Sequence, residues 1–355
     1  MDDVRELEEG VRKTSGYDAL LLISFGGPEG PGEVMPFLDR VLRGRPASTR
    51  RAEVAHHYER FGGVSPINGH CRALLEALRG ELAAHGPRLP VYWGNRNWHP
   101  LLADTLRGMA RDGVRRALAF ATSAYSSFPS CRVYLVDLEA ARAEVGPGAP
   151  RVDKLRPFFD HPGFVTANAE RLRDALAGIA PARRAAARVA FTAHSIPLAM
   201  AAASDYVAQL EETCRLVAAA AGGPPWALVY QSRSAPPPAA WLEPDIRDHL
   251  AALRTEGVEA VVAAPIGFVM DHMEVVYDLD VEAREVARGL GLEFVRAATA
   301  GTHPAFVSMI RELVLEQVAG APRRALGRRG PRPDRCPADC CPAAPAPPAA
   351  AVTPA

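Results

Sequence analysis

Lysine is nearly absent from this sequence: Lys13 and Lys154 are its two copies, and the remaining fixed basic charge is arginine. With alanine so abundant, this reads as coding bias, so arginine-rich runs such as Pro181 to Ala187 are taken as solvated surface, not as a binding patch. An excess of either sign is also missing. Lys plus Arg and Asp plus Glu balance at 41 each, which leaves no basic field for nucleic acid and no acidic surplus of the kind that keeps chains unfolded. Long apolar runs are missing too. The stretch Ala260 to Phe268 falls far short of the ~18 residues that span a bilayer, so membrane contact is expected to be at most peripheral. Met1 to Gly16 lacks the basic-then-apolar order of a secretory signal, so a cytoplasmic protein is expected. Cysteine is sparse, at 6 in 355 residues. In a reducing compartment, clustered thiols serve as metal ligands sooner than as disulfides.

What the sequence does contain is ample material for a core, 48% hydrophobic residues with 23% charged, in a length that suits two ordinary domains. Short apolar runs recur at Asp18 to Phe25, Pro90 to Trp93, Arg116 to Ala121, Val189 to Ala193, Ala227 to Tyr230, Ala260 to Ile266 and Glu293 to Val295. Their lengths suit buried strands. Between them lie helix-spaced stretches such as Leu74, Leu75, Leu78 and Leu82, or Val207, Leu210, Cys214 and Val217. This alternation predicts an α/β protein of two open, Rossmann-like parallel-sheet domains with helices on both faces. The expected division is a flexible segment 1–16, a first domain 17–150, a second domain 151–320 and a tail 321–355, with the boundary at the Gly146-Pro147-Gly148-Ala149-Pro150 stretch. A last helix, His303 to Val318, is expected to pack back on the first unit. In the tail 9 of 35 residues are proline, so it is expected to be extended or disordered.

Ligands of open α/β sheets collect beyond the carboxyl ends of the strands. There the sequence offers Ser24-Phe25-Gly26-Gly27-Pro28, where the glycines permit a tight turn or close approach of a ligand. It also offers the polar lip Thr122 to Ser127, then Thr192-Ala193-His194-Ser195-Ile196-Pro197, then Pro265 to Glu274. His194 alone reads more readily as a hydrogen-bonded core histidine than as a site residue. Asp271, His272, Glu274 and Asp278 are different. A helix beginning near Asp271 puts Glu274 and Asp278 on one face, among Phe268, Met270, Met273, Val275 and Val276, where carboxylates must be neutralised, paired or metal-bound. A neutral imidazole takes up a proton or coordinates a transition metal, and a carboxylate opposite it receives protons and accompanies the metal.

From Tyr17 to Val318 the sequence resembles the ferrochelatases. The resemblance lies in Leu21-Leu-Ile-Ser-Phe-Gly-Gly-Pro28, Phe61-Gly-Gly-Val-Ser-Pro-Ile-Asn68, Tyr92-Trp-Gly-Asn-Arg-Asn97, Phe191-Thr-Ala-His-Ser-Ile-Pro197, Tyr230-Gln-Ser-Arg233, Trp241-Leu-Glu-Pro244 and Pro265 to Asp280. It implies a chelatase-like pair of domains with a porphyrin cleft between them. It also implies that His194 and Glu274 handle ferrous iron and protons on opposite sides of the porphyrin centre, with Asp271, His272 and Asp278 as an acidic relay. Ser65 and Tyr125 match porphyrin-contacting positions, and Arg43 matches a basic residue near the propionates, a task that suits a planar guanidinium. Phe25 stands where some relatives place a tyrosine that ligates iron. After Arg233 the usual Gly-Pro pattern gives way to Ser234 to Ala240.

The segments look most like the actinobacterial ferrochelatases, which act on coproporphyrin III, with Fe2+ as co-substrate and a monomer as the expected state. Many of these carry a [2Fe-2S] cluster, and Cys131, Cys336, Cys340 and Cys341 supply its four thiolates by the same resemblance. A zinc site or free thiols stay open for that set. Protoporphyrin IX as substrate, a cobalt or nickel chelatase, and a haem or porphyrin carrier without chemistry are the alternative functions.

Overall fold

The computed structural model describes residues 16–42, 49–233, 240–337 and 339–343. Of the sequence expectations, segment 1–15, Arg43, the loop residues 234–239 and the tail residues 338 and 344–355 lie outside the described residues. Two four-stranded parallel sheets carry the fold. The first holds β1 (Ala19–Ser24), β2 (Val91–Asn95), β3 (Arg116–Ala121) and β4 (Arg151–Lys154) in the order β2-β1-β3-β4. The second holds β5 (Arg188–His194), β6 (Trp226–Gln231), β7 (Ala260–Ala264) and β8 (Glu293–Arg296) in the order β6-β5-β7-β8, the same topology repeated. The main helices are α1 (Pro31–Leu42), α2 (Thr49–Glu59), α3 (Ile67–His85), α4 (Leu102–Arg111), α5 (Val133–Val145), α6 (Pro162–Ala177), α7 (Tyr206–Ala220), α8 (Ile246–Thr255) and α9 (Pro304–Val318). No helix among the described residues is long and apolar enough to cross a membrane.

The strands read as continuous apolar runs because both of their faces are covered. In β1, Leu20 and Leu22 point into one core layer, and Ala19, Leu21 and Ile23 into another, as a period of two requires. The inner layer is shared. Leu20, Leu22 and Phe120 of the first sheet and Val189, Phe191 and Val262 of the second belong to one apolar cluster, with residues of α3, α6, α7 and α9 filling it. Phe306 of α9 packs among Phe120, Phe158 and Phe164 at centroid distances of 5.9 to 6.0 Å, and Arg311 donates to the His85 and Gly86 carbonyls. The last helix therefore docks on α3 of the first half. It also crosses α6 at Gly163, where a Cβ would stand 2.5 Å from the Ala305 carbonyl oxygen.

β4 was not expected. It pairs with β3 from Arg116↔Arg151 to Ala119↔Lys154, so the first sheet continues past the Gly146 to Pro150 stretch and the chain crosses over after Lys154. An edge strand of sequence Arg-Val-Asp-Lys carries no apolar run to announce it. The described part of the tail is extended, but it is far from loose. Residues 321–337 and 339–343 form a strap without helix or strand. Leu326 N donates to the Asp160 carbonyl at 2.9 Å, and the Arg324 carbonyl accepts from Arg156, itself buried in a two-bond pair with Glu316 (2.7 and 2.8 Å). Arg335 reaches Asp153 of β4 at 3.4 Å.

Candidate active site

β5 is a central strand of the second sheet, and His194 is its last residue. Gly267 lets the loop after β7 cross close behind it. Its amide donates to the Thr192 carbonyl at 3.0 Å, and a Cβ there would lie 2.7 Å from Ala193 Cα. That close crossing delivers the segment Asp271–Glu274 to the end of β5. A short helical turn, Met273–Val275, then opens into a π-helix, Val276–Ala283. Such widened turns occur mostly at functional sites.

The result is a facing pair. His194 Nε2 lies 3.6 Å from Glu274 Oε2, with the two side chains 30% and 50% exposed. The His194 Nδ1–H donates to the Ser195 carbonyl at 2.5 Å, which orients the ring and leaves Nε2 as the nitrogen that faces Glu274. Burial opposes the imidazolium, but the Glu274 carboxylate, the Ser195 carbonyl and Asp278 together hold the His194 pKa above its ordinary value. His272 Nδ1 stands 3.9 Å from the same carboxylate oxygen. Its ring rests edge-on to Phe268, and burial holds its pKa below the ordinary value.

Asp278, one turn beyond Glu274, completes the row. Gln231 Nε2 at the end of β6 donates to the Glu274 carbonyl (3.1 Å) and to Asp278 Oδ2 (3.4 Å), and the Ser232 hydroxyl donates to that same oxygen. Ser232 adopts a left-handed backbone, φ 60°, to do so. Burial pushes the Asp278 carboxyl up to about 7, helped by repulsion from Glu274 and Glu282 and opposed by the Ser232 hydrogen bond. Gln231, Ser232 and Glu282 were not picked out from the sequence. The strand-end rule that found His194 points to the first two as well, since β6 ends at Gln231.

Other expected residues are engaged with partners of their own. Asp271 faces away from the row: Arg296 binds it through two nitrogens (3.0 and 3.2 Å) and Thr299 donates to it at 3.1 Å. An ion pair this enclosed holds the loop and leaves Asp271 little freedom as a relay. Tyr125 is buried, and its hydroxyl is spent on the Ile266 carbonyl at 2.8 Å. Ser65 is buried under the Gly26-Gly27 turn; its amide donates to the Pro28 carbonyl at 2.8 Å. Phe25 is half-buried, edge-on to Phe37, with the Arg96 guanidinium 5.7 Å from its ring. The separation of His194 and Glu274 leaves no room for a macrocycle between them, so the expectation that they stand on opposite faces of one gives way to two donors side by side.

The rim of the site comes from the first half. Phe37, Tyr58, Met273 and Tyr277 form a small apolar cluster of their own, in which His57 of α2 stacks on Tyr277 at 3.5 Å. Burial, with the Glu274 charge nearby, raises the Tyr58 pKa. A cavity of about 640 Å³ over the outer edge of β2, bounded by Leu75, Leu82, Leu89, Val91 and Trp93, contains neither His194 nor Glu274.

The four expected cluster thiols do gather. Cys131, buried in the π-helical turn Phe128–Arg132 just before α5, interacts with Cys336; Cys336 interacts with Cys340; and Cys340 Sγ lies 3.6 Å from Cys341 Sγ. The Cys131 contact draws the Cys336 thiol below its ordinary pKa, with Lys154 adding to the effect. Among the described residues, no three His, Cys, Asp or Glu side chains converge on a single metal position. Cys71 and Cys214 are buried core thiols, as expected.

Known proteins resemble this chain closely. A ferrochelatase of Rhodopirellula baltica is 53% identical over 330 residues, covering 92% of this chain and 93% of that one. A coproporphyrin III ferrochelatase of Streptomyces griseus is 51% identical over 365 residues (96% and 97% covered), and one of Nocardia farcinica is 51% identical over 319 residues (87% and 91%). Among solved structures, SirB from Bacillus subtilis with Fe3+ superposes with a TM-score of 0.56 at 11% identity, covering 86% of this chain and 96% of that one, a likeness of fold alone. The family profile described as Ferrochelatase matches residues 17–318, which span both sheets and the facing His194 and Glu274, and the chain belongs to the ferrochelatase family.

Proposed function

We propose that this chain inserts Fe(II) into coproporphyrin III, releasing two protons and giving Fe-coproporphyrin III. The choice of porphyrin is supported by 51% identity to relatives named for that substrate. The observation that carries the site assignment is the 3.6 Å approach of His194 Nε2 to Glu274 Oε2. Two donors at that separation suit one cation with bonds of about 2.1 Å to each. Fe(II) is held there against one face of the macrocycle. As the metal passes to the ring nitrogens, its two former donors are freed, and each takes one of the two pyrrole protons. Metal and protons thus exchange places over a short distance. Asp278, which titrates near neutrality, accepts a proton from Glu274 and hands it along the π-helix to Glu282 and solvent.

The assay is continuous metalation of coproporphyrin III by Fe(II) under anaerobic conditions, with protoporphyrin IX in parallel. His194→Ala should abolish insertion while the porphyrin still binds. Normal turnover by that variant overturns the assignment. A wild-type chain that shifts the porphyrin spectrum without metalating it would be a carrier.

The thiol group is read as the seat of a [2Fe-2S] cluster. Such a cluster takes two thiolates at each iron, so four thiols in one contiguous group fit it without three around any one ion. Cys131, Cys336, Cys340 and Cys341 would hold it, and it supplies one-electron chemistry when bound. An absorption spectrum after anaerobic purification tests this. A colourless protein whose four thiols all titrate as free overturns it.

A further inference from the structure

The peptide joining His194 to Ser195 sets where the His194 imidazole points, and it is fastened on several sides. Ser195 N donates to the Gln231 carbonyl at 2.8 Å, and Ser195 Oγ to the Leu242 carbonyl at 2.8 Å. The His194 carbonyl itself accepts from the Tyr206 hydroxyl at 3.0 Å. Tyr206, buried, is the first residue of α7.

The start of α7 is held in an unusual way. Asp205 precedes the helix, yet its carboxylate makes no capping bond to it. One oxygen is taken by Arg329 and the other by Arg332, both at 3.0 Å, and both arginines belong to the strap. Farther along α7, Glu212 accepts from the Arg328 amide at 3.0 Å. On its inner side Gln209 exchanges two bonds with Ser126, at 2.8 and 2.9 Å. The first turns of α7 are thus clamped between the strap outside and the sheets inside.

We propose that Tyr206 is a positioning residue for His194, and that the strap sets its placement through the grip of Arg329 and Arg332 on Asp205. The strap is then part of the insertion machinery without touching the porphyrin or the metal. Ion pairs this exposed contribute little to stability singly; their effect here is geometric. Displacements of an ångström at a reacting group cost up to about 100-fold in rate. The inference rests on His194 being the insertion residue, which wild-type turnover and His194→Ala test separately.

The experiment is a double-mutant cycle on the full-length chain. Tyr206→Phe should lower kcat about 10-fold with the KM for coproporphyrin III unchanged. Asp205→Asn, and Arg329→Ala combined with Arg332→Ala, should each lower kcat several-fold, again with KM held. In the Tyr206→Phe background the strap substitutions should add almost nothing. The histidine nitrogen resonances of isotope-labelled protein report on His194 directly, and its shifts should move together in all three variants. Additive losses across the cycle, an unmoved His194 signal, or a fall that appears in KM alone would overturn the proposal. Arg329→Lys with Arg332→Lys, which keeps the charge pair, should retain most of the rate; an alanine pair as active as the parent would also overturn the proposal.

Discussion

Asp278 offers a stability measurement that bears directly on the site. Its carboxyl titrates at about 7 in the folded protein because burial penalises the charged form, against about 3.9 in an unfolded chain. Between those values the folded state holds a proton that the unfolded chain has released. The favourable contribution is therefore complete below about pH 4 and lost as pH rises to about 7. At about 1.4 kcal/mol per pH decade the loss is at most about 4 kcal/mol, and water reaching the partly exposed carboxyl reduces it to about 2 to 3 kcal/mol. Asp278→Asn cannot ionise, and its amide oxygen can still accept from Ser232. The variant should match the parent near pH 4 and exceed it by about 2 to 3 kcal/mol at pH 8, while metal insertion falls at least about 10-fold. Urea unfolding at constant ionic strength from pH 4 to 8.5 gives the difference curve. A difference that is flat with pH, or that grows toward acid, refutes the reasoning.

His161 runs the other way. Burial, with Arg156 and Arg324 nearby, pushes its pKa down to about 3, so the stability it allows above pH 6.5 is lost as pH falls toward 3. His161→Asn, whose side chain can take over the bond that His161 Nδ1 accepts from Gly163 N, should flatten that acid limb in the same unfolding series. Because the two slopes oppose each other between about pH 4 and 6.5, the parent protein should show a nearly level profile there and each variant a tilted one. Glu316→Gln leaves the buried Arg156 charge without its carboxylate and should cost about 3 to 5 kcal/mol in urea unfolding; it should also raise the protease sensitivity of the strap, since Arg156 holds the Arg324 carbonyl. Gly163→Ala drives a methyl into the Ala305 carbonyl and should lower stability by about 1 to 3 kcal/mol, read from the same curves.

Much of the fold was legible because seven strands are short apolar runs set between helix-spaced stretches. His194 was drawn out by its place at a strand end and Glu274 by its carboxylate neighbours in an apolar segment, and the resemblance joined the two as a pair. What stayed hidden has physical reasons. β4 is too polar and too short to stand out. The strap looks unstructured by composition, and its order comes from arginines that find Asp205, Glu212 and Asp153, carboxylates more than a hundred positions away. Asp271 and Glu274 look alike in the sequence; only the tertiary structure gives Asp271 an arginine partner and leaves Glu274 facing an imidazole. Tyr125 sits at a polar lip in the chain, but the adjoining loop supplies a carbonyl that draws its hydroxyl inward.

The shared inner layer has a mechanical corollary. Since one set of side chains from α6, α7 and α9 is wedged against both sheets at once, swinging the halves apart would open a close-packed layer that both share. An opening that left this layer closed would fall at the margin, where Phe37, Tyr58, Met273 and Tyr277 form a small cluster separate from it.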